Sequence, residues 1–232
     1  MQAFIHPTLN KLLDGIKNFQ QRVYDQHLFN MKDLVEVGQQ PKVLLISCSD
    51  SRVDPAILTN AAPGDLFVLR NVANLAPSYE LESKYDGARS AIEYAVRDLE
   101  VEHIVILGHA HCGGIKALLK SLSGQSIPRD FIGDWVSIAK EGCERYVIEQ
   151  LGDLNKPLKE ADLENLHEHI HLLERASIRG SLDNLLTYPW IKDRVESGTL
   201  QLHGWWFDLE TGDLWATDAD NSVFLPVIDC NT

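Results

Sequence analysis

Val43-Leu44-Leu45-Ile46-Ser47-Cys48-Ser49-Asp50-Ser51-Arg52 joins an unbroken apolar run to a thiol, an acid and an arginine. A short continuous run rich in branched residues reads as a strand buried on both faces, and both-face burial is typical of parallel sheets. Two further runs have the same character, Leu66-Phe67-Val68-Leu69 and Ile104-Val105-Ile106-Leu107. Between them, Ser90 to Leu99 reads as the crossover helix of a β-α-β unit. The fold class expected is α/β: a central, mostly parallel β-sheet flanked by helices, as one three-layered domain over 1–232.

Outside this centre, residues 1–37 read as a helical arm. Leu9, Leu12, Leu13, Ile16 and Phe19 recur at three- and four-residue steps and form an apolar face. Such a face needs cover, on the chain's own sheet or on a partner subunit. Ile115 to Leu122 restarts as helix, Gly124 to Gly133 reads as loop, and Asp134 to about Tyr188 reads as mostly helix broken near Gly152 and Pro157. Leu200 to Phe207 reads as a last strand, turned by Glu210-Thr211-Gly212-Asp213 into a hairpin with Leu214-Trp215-Ala216. Alternation along that strand sends one of Trp205 and Trp206 to the core and the other to an interface.

The bulk composition narrows the function classes. With 232 residues, 44% hydrophobic and 24% charged, the chain is an ordinary globular one. A formal charge of −13 argues against nucleic acid or an anionic membrane surface as partner, since both need a basic patch. No run approaches the roughly 18 apolar residues of a membrane span. Met1-Gln2-Ala3-Phe4-Ile5-His6 lacks the charged-then-apolar layout of a secretory signal. The four cysteines are too sparse for a disulfide framework. Cys143 and Cys230 read as spare reduced thiols, a usage that fits the cytoplasm.

The chemistry sits at the strand ends. In open parallel sheets, ligands bind in the crevice beyond the carboxyl ends of the strands. Cys48 follows the first run, and His109-Ala110-His111-Cys112-Gly113-Gly114 follows the third. If the two strands are neighbours, Cys48, His109 and Cys112 converge on one crevice and supply three of the four partners of a tetrahedral zinc ion. Three protein ligands with a fourth position left for water is the pattern of a catalytic zinc. Gly113 and Gly114 permit close backbone approach, and their N–H groups at a helix start could face an anion. Two thiolates cancel the charge of Zn²⁺, so its water is acidified less than in a three-histidine site. Asp50 is placed to accept a hydrogen bond from the zinc-bound hydroxide, with Arg52 holding Asp50 ionised by a two-pronged contact. A closed structural site, with His111 or Cys143 as fourth ligand, and a pair of buried thiols beside a core histidine are the competing readings. Both leave Asp50 and Arg52 without a purpose. His111 reads better as a residue of the pocket rim, open to a role in carrying protons.

The pair Cys48-x-Asp50-x-Arg52 and His109-x-x-Cys112 resembles the β-class carbonic anhydrases. Pro63-Gly64-Asp65-Leu66-Phe67-Val68-Leu69-Arg70-Asn71-Val72-Ala73-Asn74 and Ala91-Ile92-Glu93-Tyr94-Ala95-Val96 are similar to segments of that family in the same order. The likeness is dense from Gln39 to Leu119 and thinner at His203-Gly204-Trp205. It implies zinc-dependent reversible hydration of carbon dioxide to bicarbonate, with one zinc per chain on Cys48, His109 and Cys112 and a catalytic Asp50–Arg52 pair. It further implies a substrate pocket lined by Gln39, Phe67, Val72 and Tyr94 at a dimer interface, N-terminal helices embracing the partner, and a homodimer or higher homo-oligomer such as a tetramer or octamer. One branch of the family carries a tryptophan three residues before the first cysteine, used in an inhibitory bicarbonate pocket; here Leu45 stands there. Gln39 and Tyr94 resemble the plant-like branch, in which Asp50 stays off the metal. A carbonyl sulfide or carbon disulfide hydrolase on the same ligands, or a non-catalytic zinc or bicarbonate-binding module, are the rival functions.

A second metal pattern is formal only. His167-Glu168-His169-Ile170-His171 matches the helical zinc-protease signature H-E-x-x-H. Leu172-Leu173-Glu174-Arg175 follows in place of the further Gly-x-x-His of the extended type, so a solvated helix face is expected there.

Overall fold

The computed structural model describes residues 7–25, 31–81, 86–151, 166 and 168–228. Six strands form one sheet in the order β2-β1-β3-β4-β5-β6. They are β1 (Val43–Cys48), β2 (Leu66–Asn71), β3 (His103–His109), β4 (Gln201–Phe207), β5 (Leu214–Thr217) and β6 (Phe224–Ile228). The first four run parallel, with Leu44 opposite both Phe67 and Ile104, and Ile104 opposite Leu202. β4 and β5 form the expected antiparallel hairpin, and β6 adds an antiparallel edge that the sequence reading lacked. Pro226 interrupts that last apolar run, and a proline is tolerated in a sheet chiefly on such an edge.

The helices are α1 (Pro7–Gln20), α2 (Met31–Val37), α3 (Pro55–Thr59), α4 (Gly87–Glu93), α5 (Gly113–Leu122), α6 (Ile132–Ser137), α7 (Lys140–Leu151), α8 (Ile170–Leu185) and α9 (Pro189–Glu196). The predicted crossover helix is α4 and its wider continuation over Tyr94–Asp98. Asp86 starts it, accepting from the N–H groups of Ala88 and Arg89 at 2.9 and 3.1 Å, the usual service of an N-cap carboxylate. Gly152 and Pro157, where the sequence breaks the helical stretch, lie outside the described residues.

One sheet face is covered by helices. Leu44, Ile46, Ile104 and Ile106 pack there with Ile92, Ala95 and Val96, and with Ile178, Leu182 and Leu185 of α8. A second core ties the strand ends to α5, α6, α7 and α8 through Cys48, Leu75, Cys112, Ile115, Val136, Cys143 and Leu173. α7 and α8 meet backbone to backbone: a Cβ on Gly142 would fall 2.5 Å from the Cα of Gly180. The opposite sheet face carries Leu45, Val105 and Leu107, all three buried and packed with the strand residues Val43, Leu66, Trp205, Phe207 and Leu214. The end of α3 lies beside it, with Thr59 lining a cleft that Leu45, Val105 and Trp205 share. α1 is exposed along its whole length, with Leu12 61% and Ile16 63% accessible. Trp206 is buried in the helix-covered core, while Trp205 is half-buried on the opposite face.

Candidate metal centre

β1 and β3 are parallel neighbours, with Ser47 opposite Leu107, so both strands deliver their last residues to the same end of the sheet. Cys48 ends β1, His109 ends β3, and Cys112 caps the start of α5 after a tight turn. That turn requires His111 in the left-handed region, at φ 59°. The ligand atoms of Cys48, His109 and Cys112 all lie within 4.8 Å of one another and are buried; no other such group occurs among the described residues.

The set fits a tetrahedral metal ion. The two sulfurs stand 3.9 Å apart. Sulfurs bound to zinc at about 2.3 Å in a tetrahedral set would stand about 3.8 Å apart. The His109 Nδ1–H donates to the Ala110 carbonyl at 2.8 Å, which directs the other ring nitrogen inward. That Nε2 is buried without a hydrogen-bond partner, an orphan that a metal ion would satisfy. Without metal, a hydrogen bond from the Cys112 thiol lowers the Cys48 pKa, while the Cys48 thiolate and burial push Cys112 upward. Burial works against a charged His109, yet the Cys48 thiolate, the Ala110 carbonyl and Asp50 outweigh it and raise its pKa overall.

Backbone amides surround both sulfurs. Asp50 and Ala73 donate N–H groups to Cys48, and Ile115 and Gly114 donate to Cys112. The Gly114 N–H is thus turned onto a sulfur rather than left for an external anion. Gly113 is exposed, with open space where a Cβ would stand. Gly114 is needed for contact: a Cβ there would lie 2.7 Å from the Cβ of Ala73 and 2.9 Å from Val72 Cγ1. Gly114→Ala should therefore push the two ligand-bearing loops apart and lower zinc affinity at least tenfold, measured by competition with a chelator.

Asp50 and Arg52 form the forked pair expected. Arg52 donates Nε–H to Asp50 Oδ1 at 2.9 Å and Nη2–H to Oδ2 at 2.7 Å, and its backbone N–H to Oδ1 at 3.0 Å. These contacts hold the Asp50 carboxyl well below the usual carboxylate range. Its Oδ2 lies 3.9 Å from His109 Nε2, beside the ligand set. His111 Nε2 bonds Glu210 Oε1 at 2.7 Å and Cys143 donates to the Leu173 carbonyl at 3.6 Å, so neither offers itself as a fourth ligand.

Glu174 joins this set, a contact that spacing alone does not suggest. It is 2% exposed and accepts from the Cys112 backbone N–H at 3.0 Å and from Trp206 Nε1–H at 3.1 Å. Burial raises its pKa against the pull of those two donors. The signal was available: Glu174, Ile178, Leu182 and Leu185 share one helical stripe, and an acid in that stripe has to face the core.

The other pocket residues separate. Val72 adjoins the sulfurs: its side chain faces Gly114, and Trp135 Nε1–H donates to its carbonyl at 2.7 Å. Gln39 lines a cleft of about 1240 Å³ with Lys42, His103 and Gln201, at the opposite ends of the strands. Phe67 is opposite Leu44, and its ring lies 5.8 Å from that of Tyr94. Within one chain, Gln39, Phe67 and Tyr94 do not meet Cys48. Of the H-E-x-x-H pattern, His167 lies outside the described residues, Glu168 and His169 are exposed, and α8 starts at Ile170 after a turn at His169. His169 stands at φ −118°, ψ 44°, so the pattern does not share one unbroken helix.

A family model described as carbonic anhydrase matches residues 43–214. The chain belongs to the β-carbonic anhydrase family. A carbonic anhydrase of Synechococcus elongatus is 33% identical over 225 residues, 96% of this chain and 76% of that protein. One from Synechocystis is 37% identical, covering 90% of this chain and 71% of that protein. β-Carbonic anhydrase 5 of Arabidopsis thaliana chloroplasts is 38% identical across 83% of this chain, which spans 59% of its length. Among solved structures, the β-carbonic anhydrase CcaA superposes with a TM-score of 0.79 at 34% identity, over 97% of this chain and 94% of that one. As a β-carbonic anhydrase, this chain carries a buried Cys-His-Cys group able to hold a metal ion. No helix among the described residues is long and apolar enough to cross a membrane.

Proposed function

We propose that this protein catalyses the reversible hydration of carbon dioxide to bicarbonate and a proton, at one zinc ion per chain held by Cys48, His109 and Cys112. The observation that carries this reading is the Asp50–Arg52 fork beside an open three-ligand set, with Asp50 Oδ2 3.9 Å from His109 Nε2. A closed structural site has no use for such a pair. Held by Cys48, His109 and Cys112, zinc would supply Lewis acidity and lower the pKa of a water in the fourth position.

The protein's own groups do the rest. Asp50 accepts a hydrogen bond from the attacking water and aims its lone pair at the substrate carbon, and Arg52 keeps Asp50 ionised and turned in place. The four amides on the two sulfurs draw electron density from the thiolates, which offsets the charge-cancelling effect of a two-cysteine ligand set. Because both Asp50 oxygens are engaged by Arg52, Asp50 stays off the metal near neutral pH, as in the plant-like branch. A structure determined near pH 7 with Asp50 on zinc would overturn that point.

The substrate pocket is completed by a second copy of the chain. Val72 and Gly113 come from the metal-bearing subunit, and Gln39, Phe67 and Tyr94 from its partner, because one chain keeps these two sets apart. The apolar face of α1, exposed in the single chain, packs on the partner. Two β-carbonic anhydrases of Sordaria macrospora with this fold are tetrameric. The buried, unpaired thiols Cys48, Cys112 and Cys143 suit a reducing, cytoplasmic setting. His111, at the rim, is the proposed exit for protons.

Stopped-flow CO₂ hydration with zinc determined on the same sample tests the reading. Rapid turnover with one zinc per chain, abolished by a chelator, is expected. Full zinc without turnover at any pH from neutral to mildly alkaline would overturn it, and hydrolysis of carbonyl sulfide or carbon disulfide would then be assayed.

A further inference from the structure

We propose that Asn71 is a positioning residue for the metal site: its side-chain amide locks the turn Val72–Asn74 so that the Ala73 N–H points at the Cys48 sulfur. This role rests on the metal reading above and deepens it.

Asn71 ends β2 directly opposite Cys48 in the parallel register, and its carbonyl accepts the Ser49 N–H at 2.8 Å. Its side chain spans the turn with both ends used. Nδ2–H donates to the Leu75 carbonyl at 2.8 Å, and Oδ1 accepts the Leu75 N–H at 2.8 Å. Inside that clamp are two successive residues in the left-handed region, Ala73 at φ 67° and Asn74 at φ 51°. Side chains with a Cβ disfavour this region, and Ala73 gains no local hydrogen bond from its own side chain in compensation. Both residues are buried, at 0% and 2% exposure, so solvent does not relax the turn.

Such a conformation persists only when the surroundings over-determine it, and it belongs where it serves a purpose. The Asn71 clamp holds the turn from within. Trp135 Nε1–H on the Val72 carbonyl holds it from α6, and the bare Cα of Gly114 lets α5 close behind it. What the turn delivers is Ala73, buried in one cluster with Cys48 and Cys112 and set against Gly114, with its amide directed at the Cys48 sulfur. Releasing the clamp frees the Val72–Ala73 peptide plane, which sets where that N–H points. An amide on a ligating thiolate withdraws electron density from it, and such outer contacts tune both affinity and the metal's acidity.

The test uses the full chain loaded with cobalt(II), whose sulfur-to-metal charge-transfer band reports the electron density on the thiolates. Asn71→Ala should move that band to longer wavelength and lower zinc affinity at least tenfold in chelator competition. Asn71→Asp keeps the acceptor for the Leu75 N–H but sets oxygen against the Leu75 carbonyl, so it should shift the band in the same direction and guards against an alanine variant that fails to fold. Trp135→Phe, which removes the outer strut alone, should give a smaller shift. Ile92→Val, a core lesion on the helix-covered sheet face, should leave the band in place. A band unmoved in the folded Asn71 variants, whatever happens to turnover, would overturn this role alone. A wild-type protein that shows no such band would overturn the metal reading and this role with it.

Discussion

Asp50→Ala is expected to lower kcat/KM for CO₂ hydration about a thousandfold while zinc stays at one per chain. The separation of effects follows from geometry. Asp50 is not in the Cys48, His109, Cys112 group, and its carboxylate is spent on Arg52 at 2.9 and 2.7 Å. Removing it leaves the ligand atoms buried and in place but frees the attacking water to rotate. The loss should appear in kcat as well as in kcat/KM, because the interaction orients the reacting group rather than binding substrate. Asp50→Asn should lose nearly as much, since the amide cannot serve both as anion and as acceptor for the Arg52 fork. Arg52→Lys keeps the charge without the fork and should fall between Asn and wild type. The pH dependence has a defined sign. Arg52 holds the Asp50 pKa well below its ordinary value, so Asp50 is ionised across any assay from pH 6 to 9 and adds no inflection there. Its stabilising contribution is present above the unfolded-state pKa and is lost only as pH falls through the acid range. Wild-type turnover in Asp50→Ala would show that the pair orients nothing.

The parts of this site that were legible in the sequence are those that one strand end can state alone. Cys48 and His109 each terminate an apolar run, and parallel pairing of β1 with β3 carries both to the same crevice. The Cys112 turn and the Asp50–Arg52 fork are local in sequence, so spacing sufficed. Glu174 was missed because its role depends on where α8 crosses the sheet, which puts it against Cys112 from 62 residues away. Asn71 was missed for the same kind of reason: its clamp is local, but its importance comes from facing Cys48 across two strands. The cover of the N-terminal helix is a different case. Periodicity established that the face from Leu9 to Phe19 must be covered, and it carried no information on which molecule covers it. Gln39, Phe67 and Tyr94 lie in segments similar to the family's, yet one chain leaves them remote from Cys48. A contact made between copies leaves no trace in the spacing of a single sequence.

Cys48→Ala should abolish turnover by emptying the site, with zinc falling below about a tenth of an equivalent after dialysis against a chelator. On the proposed three-ligand reading, removing one thiolate takes away both a bond and half of the negative charge that would neutralise the ion. What remains is poorly suited to a cation. Cys112 is left as a single buried thiol, whose burial still favours the protonated form, and His109 Nε2 is again left without a partner. The fold should survive. Cys48 sits at the end of a strand paired on both sides, and the replacement removes one sulfur without adding a polar group to the core. Cys143→Ala is the matching control. Cys143 is equally buried, but its thiol donates to the Leu173 carbonyl, burial holds it protonated, and it is absent from the ligand group. It should keep full zinc and full turnover. Zinc lost from Cys143→Ala would point to a closed four-ligand structural site, and zinc retained by Cys48→Ala would remove the metal from the strand ends altogether. Only the combination of an empty Cys48→Ala and a loaded Cys143→Ala fits a three-ligand centre with one position left for water.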